Sequence, residues 1–227
     1  ALPVSEAQLQ QLYCGIDLAV FAEALGAERR RRVRRALGLS DEVFVIALPG
    51  RVSQSKGHEI WLEGLRRLHE IPGLPAWCGV VLGEASGPDA QPGGFAEQFR
   101  EQVKKAGLVD RVVFAGFRND LPDCLKSVDI ACIPSVNEAF GLAVIEAMAA
   151  GCAVIGSDSG AIPELIGEDR GRTASPQDPA DWARAMRELL GDAELREQLG
   201  STASAWVRRR FELGEHVQKL TDYYRTA

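Results

Sequence analysis

The segment Ser135–Gly151, SVNEAFGLAVIEAMAAG, places two carboxylates in a run otherwise made of small and apolar residues. Glu138 and Glu146 stand eight positions apart, with Gly141 between them. Two carboxylates first raise the question of an acid/base pair. On one continuous helix eight residues rise ~12 Å, whereas carboxyls that work as a pair on a glycosidic bond stand ~5–9.5 Å apart. A hydrolytic dyad fits poorly. The spacing is better served if Glu138 lies in a loop, Gly141 and its neighbours open a helix, and Glu146 falls in the second turn. Its side chain then leans back toward the helix N-terminus, as long helical side chains do.

Such an arrangement has chemistry of its own. The first amides of the helix, around Phe140, Gly141, Leu142 and Ala143, lack partners within it, and with the helix dipole they favour an anion. Glycine at 141 lets the backbone approach a ligand closely. A phosphate there would be repelled by two nearby carboxylates unless these accept hydrogen bonds from hydroxyls, and sugars and riboses carry such hydroxyls. The ligand class that reconciles these groups is a phosphorylated sugar or a sugar nucleotide. Cations should converge on the same place, and PGRVSQSKG (49–57) supplies Arg51 just past an apolar run and Lys56 where the next helix opens. Arginine offers a planar fork to phosphate oxygens, lysine a point charge. Taken singly, either is as well explained as a solvated loop cation, and Glu138 as a helix-start carboxylate. Glu146 as an isolated buried charge is harder to explain, because unpaired burial is costly.

The elements that must position these residues alternate along the chain. Strands are expected over 43–50, 76–84, 110–117, 129–135 and 152–158, with a weak sixth over 171–175. Helices are expected over 56–71, 94–108, 120–128, 140–150 and 162–166, and the chain from 178 on reads as helices. Near-continuous apolar strands alternating with helices predict an α/β domain, a doubly wound, Rossmann-like parallel sheet covered on both faces. Ligands of such folds bind beyond the carboxyl ends of the strands, where Gly50, Gly83, Gly116, Ser135 and Ser157 fall. The Gly/Pro-rich stretch 83–94 reads as a mobile loop. One domain over 1–227 is expected, with a leading segment and helix over 1–42, an α/β core over 43–176 and C-terminal helices over 177–227.

Bulk properties narrow the field. A length of 227 residues and 46% hydrophobic content suit one large self-sufficient core. A net charge of −6 argues against a nucleic-acid partner. The five cysteines contain no C-x-x-C and have scattered spacing, a poor disulfide framework that points to a reducing compartment. Cys78, Cys132 and Cys152 read as small buried hydrophobes, and Trp61 and Trp77 as core aromatics. His58, His69 and His216 form no ligand cluster. The N-terminal ALPVSEAQLQ lacks the pattern of a signal peptide, and no run is long enough for a membrane span. The absence of an initiator Met is read as a processed or excised piece. The stretch ERRRRVRRALGL carries six arginines. It reads either as a patch for an anionic membrane or phosphate, or as a solvated helix face with Val33, Leu37 and Leu39 packed inward; the acidic remainder favours the second.

GRVSQSKG, VVLGE, DRVVFAGF and DIACIPSVNEAFGLAVIEAMAAGCAVIGSDSGAIPELI together resemble the C-terminal, donor-binding half of a retaining GT-B glycosyltransferase of the family 4, or glycosyl transferases group 1, type. The resemblance spans nearly the whole chain, and the E-x7-E spacing becomes specific when joined to the upstream G-R-x4-K-G. It implies a nucleoside-diphosphate-sugar donor, retention of anomeric configuration, and no cofactor or bound metal. It implies that Arg51 and Lys56 grip the diphosphate and that Glu138 meets the transferred sugar. Glu146 would meet the ribose, and the amides of Gly141, Leu142 and Ala143 the sugar and phosphates. Phe117 and Arg118 would line the base pocket, with Gly50, Gly83 and Glu84 near it. The family's N-terminal acceptor domain is not found in this sequence, so a partner half is implied. Trp206, Phe211, Tyr223 and Tyr224 mark either a contact surface for that half or core packing. Glu164 could line the cleft or simply begin a helix; Ser135, Asp158 and Ser159 read as turn or capping residues. The location implied is cytoplasmic, with peripheral contact at the inner face of a membrane. Two other readings stand beside this one: a phosphorylase or epimerase of similar architecture, and a non-catalytic nucleotide-sugar-binding module.

Overall fold

A computed structural model describes residues 11–226 of the chain; ALPVSEAQLQ, the stretch without a leader pattern, lies outside the described residues. Six strands form one sheet: β1 (Phe44–Pro49), β2 (Trp77–Leu82), β3 (Val112–Gly116), β4 (Ile130–Ile133), β5 (Ala153–Ser157) and β6 (Arg172–Ala174). All neighbours are parallel, in the order β3-β2-β1-β4-β5-β6. Ala47 is the hinge of the register, paired with Val80 on one side and Ala131 on the other. The order reverses between β1 and β4, and the crevice at such a switch point is where this architecture takes ligands.

Successive side chains on each strand feed opposite faces. From β1, Val45 and Ala47 join a core with Ile133, Val144, Ile145, Met148 and Phe211, whereas Ile46 and Leu48 join a second core with Trp61, Leu65, Phe99 and Trp182. Both faces are therefore dry, which is why the strands read as continuous apolar runs. Trp61 and Trp77 are buried as expected. Of the three cysteines read as buried, Cys132 and Cys152 are, while Cys78 is half-buried against the first core.

The helices are α1 (Ala27–Ala36), α2 (His58–His69), α3 (Phe95–Lys105), α4 (Leu121–Ser127), α5 (Leu142–Ala149), α6 (Ile162–Ile166), α7 (Pro179–Gly191), α8 (Ala193–Arg210) and α9 (Leu213–Thr226). Asp178 caps α7 by accepting from the Ala180 amide, and Asp192 caps α8 by accepting from Leu195. Among the described residues no helix is long and apolar enough to cross a membrane.

Two expectations need correction, and a third gains detail. Lys56 does not open α2: Gln54–Lys56 form a 3-10 turn, and Gly57, left-handed at φ 72°, intervenes before His58. The 83–94 stretch is a loop, as its Gly/Pro content suggests, with local order in it. It holds a 3-10 turn over Gly87–Ala90, and Glu97 and Gln98 of α3 hydrogen-bond Gly93 at 2.6 and 2.7 Å. The arginine-rich helix is more than a solvated face. Val33, Leu37 and Leu39 do pack inward, but Arg34 is buried with them, only 1% exposed. Its guanidinium donates to the carbonyls of Ser127, Asp41 and Val43 and to Asp129 Oδ2 at 2.7 Å. Arg29 pairs with Asp123 at 2.7 Å and Arg30 with Asp129 at 3.1 Å, so much of the apparent basic patch is spent docking α1 onto α4 and β4. At the C-terminus Phe211 is core, Trp206 packs against it, and Tyr224 is 80% exposed.

Candidate functional site

The carboxyl ends of β1, β2 and β3 and the first turns of α5 enclose a cavity of about 370 Å³. The β1–β2 ladder continues past the strands: Gly50 donates to the Leu82 carbonyl at 2.9 Å and Val52 to the Glu84 carbonyl at 3.0 Å. That extension sets Arg51 on the cavity wall beside Gly50, with Gly83 and Glu84 facing them. Phe117 and Arg118, just after β3, form the rim, and Ala143 and Glu146 of α5 the inner side. Phe117 is 66% exposed, an apolar ring held out in water at the mouth. Arg118 is committed locally, its Nε and Nη2 donating to Asp120 at 2.8 and 2.7 Å. This pairing holds the Asp120 carboxyl below the usual aspartate range.

Glu146 is the part-buried carboxylate of the cavity. α5 is otherwise apolar, with Val144, Ile145, Ala147 and Met148 buried. Burial raises the Glu146 carboxyl above the usual glutamate range. No described residue donates a hydrogen bond to it or pairs with it, so its hydrogen-bonding capacity is directed at the cavity. Arg51 likewise has no acidic partner among the described residues and is exposed.

The N-terminus of α5 is built as expected. Gly141 is its N-cap at φ 95°, and among the described residues no side chain caps the helix. The amides of Val144 and Ile145 both turn back to the Gly141 carbonyl, at 2.9 and 3.3 Å, which leaves those of Leu142 and Ala143 as the unpartnered pair. The Phe140 ring does not line the cavity; it stacks 6.3 Å from Tyr13 and meets Phe211 edge-on at 6.1 Å.

Lys56 and Glu138 lie outside the cavity wall and meet each other. Lys56 Nζ donates to Glu138 Oε2 at 2.6 Å, both side chains being part-buried. The contact is made by backbone packing: Val136 donates to the Ser55 carbonyl at 3.1 Å. A side chain at Gly57 would sit 2.2 Å from the Pro134 carbonyl oxygen. Only glycine lets the β1–α2 turn press this closely on the end of β4. Glu164, by its sequence either a cleft residue or a helix-start carboxylate, begins α6 and accepts a hydrogen bond from the Tyr13 hydroxyl. Ser86 and Leu121 also line the cavity and escaped sequence reasoning; their only signal is that each follows shortly after a strand end.

A larger cavity of about 450 Å³ lies beyond α4, but its cations are already engaged: Arg29 pairs with Asp123, and Lys126 donates to the Glu23 backbone carbonyl at 2.7 Å. Among the described residues no three His, Cys, Asp or Glu side chains stand close enough together to hold a metal ion.

Residues 29–206 match the family Glycosyl transferases group 1. The chain belongs to that family. Among curated relatives, this group 1 domain is 28% identical over 198 residues to the lipopolysaccharide core biosynthesis mannosyltransferase LpsB of Rhizobium meliloti, covering 86% of this chain and 55% of the relative. It is 33% identical over 193 residues to a D-inositol 3-phosphate glycosyltransferase of Jonesia denitrificans, covering 83% of this chain and 45% of that one. The group 1 domain thus spans about half the length of the curated relatives it matches. Among solved structures, Anabaena Alr3699/HepE in complex with UDP shares the fold at a TM-score of 0.87, with 23% identity over 98% of this chain and 59% of that one. The C-terminal domain of a Francisella tularensis glycosyl transferase group 1 family protein, LpcC, is matched over 88% of this chain and 100% of its own, at 30% identity and a TM-score of 0.73.

Proposed function

We propose that this chain is the donor-binding domain of a retaining glycosyltransferase, taking a nucleoside-diphosphate sugar and working with an acceptor-binding half. The observation that carries the reading is Glu146, a carboxylate whose pKa is raised by burial and which has no partner among the described residues, lining a cavity that Arg51 also lines. A hydroxyl-bearing, phosphorylated ligand satisfies both at once. HepE was solved in complex with UDP, and a second structure of that protein is a complex with UDP and glucose; the Rhizobium and Jonesia relatives are glycosyltransferases.

In this reading the ribose hydroxyls donate to Glu146, and the base rests on Phe117 at the rim beside Arg118. The diphosphate lies between Arg51 and the amides of Leu142 and Ala143. When the bond from the anomeric carbon to the β-phosphate oxygen breaks, the sugar passes with its configuration retained to an acceptor hydroxyl, whose proton goes to the departing phosphate oxygen, and negative charge grows on the nucleoside diphosphate as it leaves. Arg51, Lys56 and the two amides balance that charge, so the reading needs no metal or cofactor. Glu138 accepts from the sugar hydroxyls. A cytoplasmic location agrees with five free cysteines. Peripheral contact with the inner face of a membrane would fall to Arg32 and Arg35, the arginines of α1 without an acidic partner among the described residues.

The test is calorimetric titration with UDP, GDP and ADP and with UDP-glucose, GDP-mannose and ADP-glucose. One nucleotide should bind, and Glu146→Ala should weaken it about tenfold or more, the loss of a hydrogen bond to a charged group. Glu138→Ala should keep the nucleotide and lose the added affinity from the sugar. Two variants that both bind like the parent would overturn the roles of both carboxylates.

A further inference from the structure

Asn137 is the one non-glycine residue, among those described, in the left-handed region, at φ 53°. It immediately precedes Glu138. It is also exposed, so no core packing forces the conformation. Ser159, in the loop after β5, holds it from two sides. The Asn137 amide donates to Ser159 Oγ at 3.1 Å, and the Ser159 hydroxyl donates to Asn137 Oδ1 at 3.2 Å. Ser159 is in turn referenced to the sheet, its amide donating 3.1 Å to the hydroxyl of Ser157, the buried last residue of β5. The same loop grips the other flank of Glu138. Ala161 donates to the Glu138 carbonyl at 2.9 Å. A side chain at Gly160 would stand 2.4 Å from that carbonyl oxygen and 2.7 Å from the Glu138 nitrogen. The loop after β5 is thus pressed against the backbone of Glu138, whose carboxylate is aimed at Lys56. A backbone conformation of this kind persists where its surroundings over-determine it, and such positions gather at functional sites.

We propose that Asn137 and Ser159 are a positioning pair that presents Glu138 to the sugar of the donor. The inference rests on the donor-binding reading of the cavity. Neither residue touches the ligand. Together they hold the β4–α5 loop so that the Glu138 carboxylate is already placed when the diphosphate draws Lys56 away from it and sugar hydroxyls take over as its donors. Asparagine tolerates the left-handed region better than most residues, and the serine removes the freedom that remains. Without the serine the loop can relax toward φ < 0 and carry Glu138 off its target, while Arg51, Glu146 and the α5 amides stay where they are. The pair should therefore govern what the sugar adds to binding and leave nucleotide binding alone.

The test is the ratio of dissociation constants for a nucleoside diphosphate and its sugar conjugate, measured by calorimetry as UDP against UDP-glucose and GDP against GDP-mannose. Ser159→Ala should lower the gain from the sugar about fivefold to tenfold while the constant for the bare nucleotide and the melting temperature stay at parental values. Ser159→Thr keeps the hydroxyl and should keep the gain. Adding Asn137→Gly to Ser159→Ala allows φ > 0 at 137 without the clamp and should recover part of the lost gain. Equal gains in parent and Ser159→Ala would overturn the positioning role. So would a parallel loss for bare nucleotide and conjugate, which would mark Ser159 as merely structural. A parent that gains nothing from either sugar would instead bring down the reading of the cavity itself.

Discussion

A carboxylate that is pushed up by burial weakens the fold when it ionises, and Glu146 is held in that condition with no donor among the described residues to offset it. The folded state binds the proton more tightly than the unfolded chain does, so the stabilisation is fully present below the ordinary glutamate range and is lost as pH rises through the raised value. Glu146→Gln removes the charge and keeps the shape. It should melt higher than the parent at pH 7, by on the order of 2 °C, and the difference should vanish near pH 4 in a thermal scan across pH. The same variant should bind the nucleotide more weakly, because the charge-assisted hydrogen bond is gone. A variant that melts like the parent at every pH would show that the burial of Glu146 is not destabilising. At this scale the sequence was informative where chemistry is unusual. Two carboxylates in an apolar run, and two cations after a strand, are visible as types and spacings. Asn137 and Ser159 were not, because ordinary loop residues become special only through a backbone angle and a partner 22 positions away.

Between the residues and the whole lies the turn from β1 to α2, which carries both cations. Its position depends on Gly57, left-handed and pressed on Pro134. Gly57→Ala must strain the backbone and push Pro134 aside, which should cost about 3 kcal/mol and lower the melting temperature by on the order of 10 °C. It should also separate Lys56 from Glu138, so that affinity for a nucleotide sugar falls further than affinity for the nucleotide. A variant with parental melting and parental affinities would mean that the turn is not held by this contact. Most elements were legible because period and breakers agree, as in the apolar VFVIALPG ending in Pro-Gly. The start of α2 was placed two residues early, at Lys56, because the left-handed turn at Gly57 that precedes His58 does not show in residue types. The arginine-rich helix was half legible: its apolar stripe shows in the spacing, but the burial of Arg34 depends on Asp129 and on carbonyls that come from elsewhere in the fold.

At the scale of the molecule, the order β3-β2-β1-β4-β5-β6 puts the candidate site on the seam between two halves, with Arg51 after β1 and Glu146 in the helix after β4. This much followed from alternating strands and helices, since a doubly wound sheet has one switch point and glycines mark its rim. What did not follow is how the ends are fastened. Ile16 donates to the Phe211 carbonyl at 2.8 Å and Leu213 to the Ile16 carbonyl at 3.1 Å, so the leading segment is stitched to the junction of α8 and α9. Tyr13 then stacks on Phe140 at the entrance to α5. With one sheet, a core on each face and the two ends joined, the chain should unfold in a single transition, and a ligand that bridges the seam should stabilise the whole of it. A nucleotide at about 100 times its dissociation constant adds ~2.7 kcal/mol, which for a chain of this size raises the melting temperature by roughly 5–10 °C. A thermal scan with and without saturating nucleotide checks this directly. Two separate transitions, only one of them moved by nucleotide, would place the ligand within one half and remove it from the seam.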